Sequence, residues 1–156
     1  LVAGSRFDGD QSRFARIYTA LVLKHKDADA PFLFINTHLD HEGENARVRG
    51  AAVIKKRIAE IGLPFILTGD MNALPDSAAI RSFTADELCG APVTDTTHLC
   101  GGTFHDFGRL KNPIKIDYIF TNLPCDAERT YVVDEYDRDG FFLSDHLPIC
   151  AFVSIP

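Results

Sequence analysis

Five short polar clusters sit at the ends of apolar runs: Asn36-Thr37-His38-Leu39-Asp40-His41, Gly69-Asp70-Met71-Asn72, Thr103-Phe104-His105-Asp106, Ile116-Asp117-Tyr118-Ile119-Phe120 and Ser144-Asp145-His146-Leu147-Pro148-Ile149. Strand-end loops on a rigid sheet are where reactive groups are held. Asp70 and Asn72, two residues apart, can aim two oxygens at one point, which suits a hard cation or a phosphate. The same pair could instead simply close a strand-to-helix turn. Asp117 lies inside an otherwise apolar run, and a buried carboxylate needs a histidine or a metal as partner. Asp145-His146 offers a carboxylate for a metal and an imidazole for a phosphate oxygen. His38 ends its run in a similar place, where a lone histidine is often structural.

Together Asp70, Asp117, Asp145, Asn72, His38 and His146 describe one site of three carboxylates, an amide and two histidines, a set suited to Mg²⁺ or Mn²⁺ acting on a phosphate ester. The metal would withdraw charge, an Asp would position water, and a His would stabilise the developing oxyanion. The sequence has no G-x-S-x-G elbow, P-loop, G-x-G-x-x-G turn or H-E-x-x-H motif, so the corresponding chemistries lack support.

A scaffold for these clusters can be read from the periodicity. Residues 1–15 read as a loop. Ile17–Leu23 and Pro31–Thr37 read as neighbouring strands joined by the turn Lys24–Ala30. The nearly continuous run FLFI is the pattern expected where both sheet faces are covered. A helix is predicted over Glu44–Ile61, with Val48, Ala51, Ile54, Ile58 and Ile61 on its buried face and Gly62 and Pro64 stopping it. Lys55, Lys56 and Arg57 are expected on its solvated side. Phe65–Thr68 reads as a short buried strand, and Asp76–Phe83 as a short helix after Pro75. Ile116–Thr121, Thr130–Val133 and Ile149–Val153 read as further strands, giving a mixed α/β layered domain.

The 156 residues suit one domain, and 12 Phe among 46% apolar residues exclude disorder. No apolar run approaches the roughly 18 residues of a membrane span. A net charge of −6 argues against a long duplex footprint, although Phe7, Phe14 and Phe107 leave room for base stacking. Cys89, Cys100, Cys125 and Cys150 form no C-x-x-C pair and read as reduced structural thiols, Cys150 as a small buried hydrophobe. Starting at Leu1 with Met71 as its only methionine, the chain reads as a processed or truncated product. Any upstream signal is out of view, and the cytoplasm is slightly favoured.

The ordered set NTHLDH, GDMN, TFHDF, IDYIF and SDHLPI, running from about Arg16 to Phe152, closely resembles the endonuclease/exonuclease/phosphatase family. NTHLDH followed by Ala46-Arg47 and later TFHDF looks most like bacterial members of unassigned substrate. The resemblance implies an α/β fold, a deoxyribonuclease-like layered sandwich (α/β/β/α). Residues 1–156 would be the C-terminal part of that single domain: one mixed sheet with flanking helices, the N-terminal half absent. It also implies a divalent-metal-dependent hydrolase of phosphate esters using Mg²⁺ or Mn²⁺, with a phosphodiesterase as the leading expectation. The alternatives are a phosphomonoesterase on a sugar or inositol phosphate, and an inactive binding module lacking the metal-ligand half. The substrate would be a nucleic acid, a lipid headgroup or a sugar phosphate.

Residue by residue, the resemblance implies that Asp70 orients or deprotonates the attacking water and Asn72 holds the phosphate or that water. Asp117 would pair with His146 and point the imidazole at the scissile phosphate, Asp145 would help bind the metal, and His38 would act near the leaving oxygen. His105 and Arg47 would join Asn72 in binding substrate. The family's principal metal-ligating Glu has no counterpart here, since Glu42 and Glu44 stand in the wrong place. The chain alone is therefore expected to bind Mg²⁺ weakly and to turn over slowly. The sheet face carrying FLFI, FIL and YIF is expected to be covered by the missing N-terminal half or by another chain.

Overall fold

Tyr18–Leu23 (β1) and Phe32–His38 (β2) pair antiparallel, with Tyr18 opposite Thr37 and Leu21 opposite Phe34. The computed structural model describes residues 11–133 and 141–156, so the aromatic expected at Phe7 lies outside the described residues. After β2 the chain crosses over through a helix, Glu44–Ile61 (α1), and returns as Phe65–Asp70 (β3), parallel to β2. A parallel pair needs such a crossover, and the 18 residues of α1 supply it. Gly62 ends α1 in the left-handed conformation (φ 71°), and its N–H bonds the Ile58 carbonyl.

Ala78–Thr84 (α2) follows, its start fixed by the Ser77 hydroxyl accepting the Ile80 N–H. That cap places the helix start two residues beyond the expected Asp76. Glu87–Leu88 (β4) and Ala91–Pro92 (β5) form a small ribbon before Thr94–Asp95 (β6). Asp117–Thr121 (β7) pairs antiparallel with both β3 and β6, completing a mixed sheet of order β1-β2-β3-β7-β6. Cys125–Val132 (β8) and Ile149–Val153 (β9) form a separate antiparallel pair with a register break between Asp126 and Tyr131. The strand expected at Thr130–Val133 is thus the end of a longer one.

Alternation sorts the sheet into two unlike faces. Leu33, Ile35, Phe65, Leu67, Tyr118 and Phe120 join Ala51, Ile54 and Ile58 of α1 and Ile80 and Phe83 of α2 in one buried cluster. Phe83 stacks on Phe120 at 4.9 Å between ring centroids, and Tyr118 stacks on Phe120 at 5.5 Å. Deleting the Phe83 ring would cost about 3–5 kcal/mol. On the other face Phe34, Ile66 and Ile119 are only half-buried and Leu21 is 52% exposed. Coverage of both faces, the expectation from FLFI, does not hold among the described residues, because burial there alternates although hydrophobicity does not.

Val48 is half-buried on α1, and Ala46 takes the buried position instead. Lys55 is not on a solvated face: its ammonium donates to the Ser82 carbonyl at 2.6 Å and to Asp86 at 2.9 Å, tying α1 to α2 and the turn after it. The four cysteines are free and partly buried, so Cys150 is less enclosed than expected. Among the described residues no helix is long and apolar enough to cross a membrane.

Candidate active site

Strand register builds the site. His38 is the last residue of β2 and lies directly beside Asp70, the last of β3, which lies directly beside Asp117, the first of β7. Paired residues share a face, so these three candidate side chains stand in one row across three strands, on the less covered side. Asp117 therefore opens its strand rather than lying within it. Gly69 makes the close β2–β3 approach possible, because a Cβ there would meet the Thr37 carbonyl oxygen at 1.9 Å.

His146 arrives from a different direction. Phe104 bridges both Ile114 and His146, the Leu147 N–H donates to the Thr103 carbonyl at 2.8 Å, and the His105 N–H donates to the Asp145 carbonyl at 2.9 Å. These bonds lay the 144–147 loop over the row. The His146 Nδ1 is 2.7 Å from the Asp117 Oδ2, and its ring packs against Phe104 at 5.0 Å. With Nδ1 protonated toward Asp117, Nε2 faces the Asp70 Oδ2 at 3.8 Å. The His38 Nε2 approaches the same oxygen at 3.3 Å.

Asp70 divides its two oxygens. Oδ1 accepts the Asn72 N–H at 2.7 Å, with Asn72 in the left-handed region (φ 47°), while Oδ2 faces the two imidazoles. The turn-forming role and the site-facing role are thus both filled. The Asn72 amide nitrogen donates to the Leu39 carbonyl at 3.0 Å, so it fastens the β2-end loop to the β3-end loop. Burial pushes the Asp70 carboxyl above its ordinary range; the Asn72 bond opposes this and the neighbouring Asp117 charge adds to it.

The remaining expected residues lie around this centre. Asp145 is next to His146, with its Oδ1 3.5 Å from the Ser144 hydroxyl. His105 is buried, its Nδ1 accepting the Gly108 N–H at 3.0 Å and its ring resting on Phe142 at 4.3 Å. Arg47 donates to the Asp40 carbonyl at 3.0 Å. None of the three belongs to the His38–Asp70–Asp117–His146 group. The sequence placed Thr103 in a polar cluster without a role; it is fully buried and donates its hydroxyl to the Asp117 Oδ2 at 2.6 Å.

Ligand atoms of Asp70, Asp117 and His146 lie within 4.8 Å of one another. Two adjacent carboxylates and an imidazole are hard and borderline donors that fit a divalent cation, which would also relieve the repulsion felt at Asp70. Beside them an open cleft of about 320 Å³ is lined by Asn36, Thr68, Asp70, Asp117, Leu147 and Pro148 among others, room for a phosphate and a small attached group.

The model of the family described as Endonuclease/Exonuclease/phosphatase matches residues 5–146. By structure the chain is similar to the endonuclease/exonuclease/phosphatase from Bacteroides vulgatus, at TM-score 0.81 and 31% identity over 96% of this chain and 59% of that one. It is also similar to a Bacteroides thetaiotaomicron mannosyl-6-phosphatase, at TM-score 0.74 and 29% identity over 90% of this chain and 57% of that one. The human Nocturnin catalytic domain, solved with a bound sulfate anion, shares the fold at TM-score 0.68 and 20% identity, over 90% of this chain and 53% of that one. The chain thus spans less than two thirds of the length of each of these structures. Among curated proteins none matches it.

Proposed function

Since the chain belongs to the endonuclease/exonuclease/phosphatase family, we propose that it hydrolyses phosphate esters, and that its substrate is a phosphomonoester on a small polyol such as a sugar. The observation that carries the hydrolytic reading is the row His38–Asp70–Asp117 with His146 hydrogen-bonded above it. Asp70 Oδ2 orients the attacking water and takes its proton, and its upward-shifted pKa makes it a stronger base than an ordinary carboxylate. His146, fixed through Nδ1 by Asp117, presents Nε2 to a phosphoryl oxygen as charge builds there. His38, at the edge of the row, supplies a proton to the leaving oxygen.

The carboxylates of Asp70 and Asp117 would hold a divalent cation, Mg²⁺ or Mn²⁺, with Asp145 as the further ligand implied by resemblance, leaving His146 Nε2 to the phosphoryl oxygen. When bound, the ion would withdraw charge from the phosphate. Mg²⁺ keeps several positions for water and phosphate oxygens, so a partial protein shell is chemically sufficient for binding.

The monoester reading is supported by the 29% identity to a mannosyl-6-phosphatase and by the net charge of −6, which disfavours a polyanionic duplex. Initial rates on mannose 6-phosphate and on bis(p-nitrophenyl) phosphate, with Mg²⁺ or Mn²⁺, test it. The expected result is faster phosphate release from the monoester, lowered about 100-fold or more by His146→Ala. A preference for the diester would move the substrate class to the phosphodiester expectation. Hydrolysis of neither ester would overturn the proposal.

A further inference from the structure

Thr103 has no polar neighbour to spare. Its hydroxyl proton has two acceptors in reach, the Asp117 Oδ2 at 2.6 Å and the Ile114 carbonyl at 3.4 Å. The shorter contact goes to a charged acceptor, so the single proton belongs to Asp117. The same oxygen lies 3.3 Å from both the Ile116 and the Asp117 backbone N–H groups, which donate to it. Its main chain is held as firmly: the Thr103 N–H donates to the Ile114 carbonyl at 2.9 Å, and its carbonyl accepts the Leu147 N–H at 2.8 Å. One fully buried residue therefore touches the start of β7, the 114 segment and the loop that carries His146.

We propose that Thr103 is the positioning residue that sets the Asp117–His146 pair, by donating to the same Asp117 Oδ2 that receives the imidazole. That oxygen receives two donors, Thr103 Oγ1 at 2.6 Å and His146 Nδ1 at 2.7 Å. Without the hydroxyl, the carboxylate can rotate about its terminal torsion, which is broad and only two-fold. Rotation would swing Oδ2 off the Nδ1–H axis, and His146 would lose the hydrogen bond that selects its tautomer. A β-branched side chain suits the task, because its stiff χ1 holds the hydroxyl in one direction while the methyl fills the enclosed space. The chemistry needs only the hydroxyl, so serine serves in its place where valine, which has the same shape, does not.

This inference rests on the hydrolytic reading only for its kinetic arm; the positioning arm is read without substrate or metal. The experiment compares wild type, Thr103→Ser and Thr103→Val. Proton and ¹⁵N NMR of the His146 imidazole, in metal-free protein, reports the Nδ1–H hydrogen bond and the tautomer. Kinetics on the better of the two esters above reports kcat and KM separately. The expected result is that Thr103→Ser keeps the downfield Nδ1–H signal and most of kcat. Thr103→Val loses the signal and lowers kcat about 10- to 100-fold at unchanged KM, the effect usual for a lost outer-shell partner.

If Thr103→Val does not fold, Thr103→Ala, which leaves space instead of a misplaced methyl, carries the same two readouts. Loss of the signal in a protein that hydrolyses neither ester would sustain the positioning role while removing the hydrolytic one. An unchanged imidazole signal in the valine or alanine variant, or a serine variant as impaired as valine, would overturn the proposal.

Discussion

Asp40 and Asp70 are both carboxylates at the ends of neighbouring parallel strands, and the fold treats them oppositely. Asp40, just past β2, is buried and surrounded by donors: the Ser12 hydroxyl at 2.7 Å, the Ser12 N–H at 3.0 Å, the Glu42 N–H at 2.9 Å and the Gly43 N–H at 2.8 Å. Burial pushes its carboxyl up, but the bonds from Gly43, Ser12 and Glu42 outweigh that and hold it well below the usual carboxylate range. Asp70 receives one backbone N–H and faces two imidazoles and a second carboxylate, and its pKa is raised. Saturation by fixed donors makes a carboxylate a structural anion; a shortage of them leaves it able to take a proton. Asp40 stitches the Ser12 segment to the start of α1, where the cap residue Gly43 has no side chain of its own to offer. Asp70 keeps Oδ2 facing the two imidazoles.

The largest expected effect that sharpens this contrast is on the reactive side. His146→Ala removes the imidazole facing Asp70, and kcat should fall about 10²- to 10⁴-fold, while the thermal midpoint moves little. A drop in stability with kcat intact would break the assignment of roles. On the structural side, Asp40→Ala strands buried donors and should cost about 2–4 kcal/mol, read as a lower urea midpoint.

The pH dependence of stability follows from the same residue. A folded pKa below the unfolded value of about 3.9 means stability that is fully present above that pH and lost as pH falls below it. Wild type and Asp40→Asn should therefore differ most near neutrality and converge in acid; a gap that widens on acidification would contradict the sign. The smallest effect calibrates the scale. Asp86 is an exposed carboxylate bonded to Lys55, with 68% of its side chain accessible, and Asp86→Ala should cost no more than about 1 kcal/mol by the same denaturation curve.

The sequence made His38, Asp70 and His146 visible because each is a polar residue at the edge of an apolar run, and Asp117 because it is a carboxylate inside one. What it left hidden was register. That Asp70 stands beside both His38 and Asp117 depends on a parallel pairing reached through α1 and an antiparallel one reached after a long irregular stretch. No local pattern encodes either. Thr103 stood in one of the five clusters but drew no role for a related reason: its partner, Asp117, is 14 residues away. The open sheet face was masked because FLFI is uniformly apolar, so composition could not show that Phe34 is only half-buried while Leu33 and Ile35 are fully enclosed. The helix α1, by contrast, was legible to its end residues, since its buried stripe and its terminating glycine are both local signals.

Asp70→Asn, with kcat and thermal midpoint measured on the same preparation, tests the central claim most directly. Neutralising a carboxylate that burial and Asp117 disfavour in its charged form should leave the midpoint unchanged or raise it, while turnover of the phosphate ester falls by about 100-fold or more. A lowered midpoint with undiminished turnover would make Asp70 a second Asp40, a structural anion, and the row across β2, β3 and β7 would not be the site of hydrolysis.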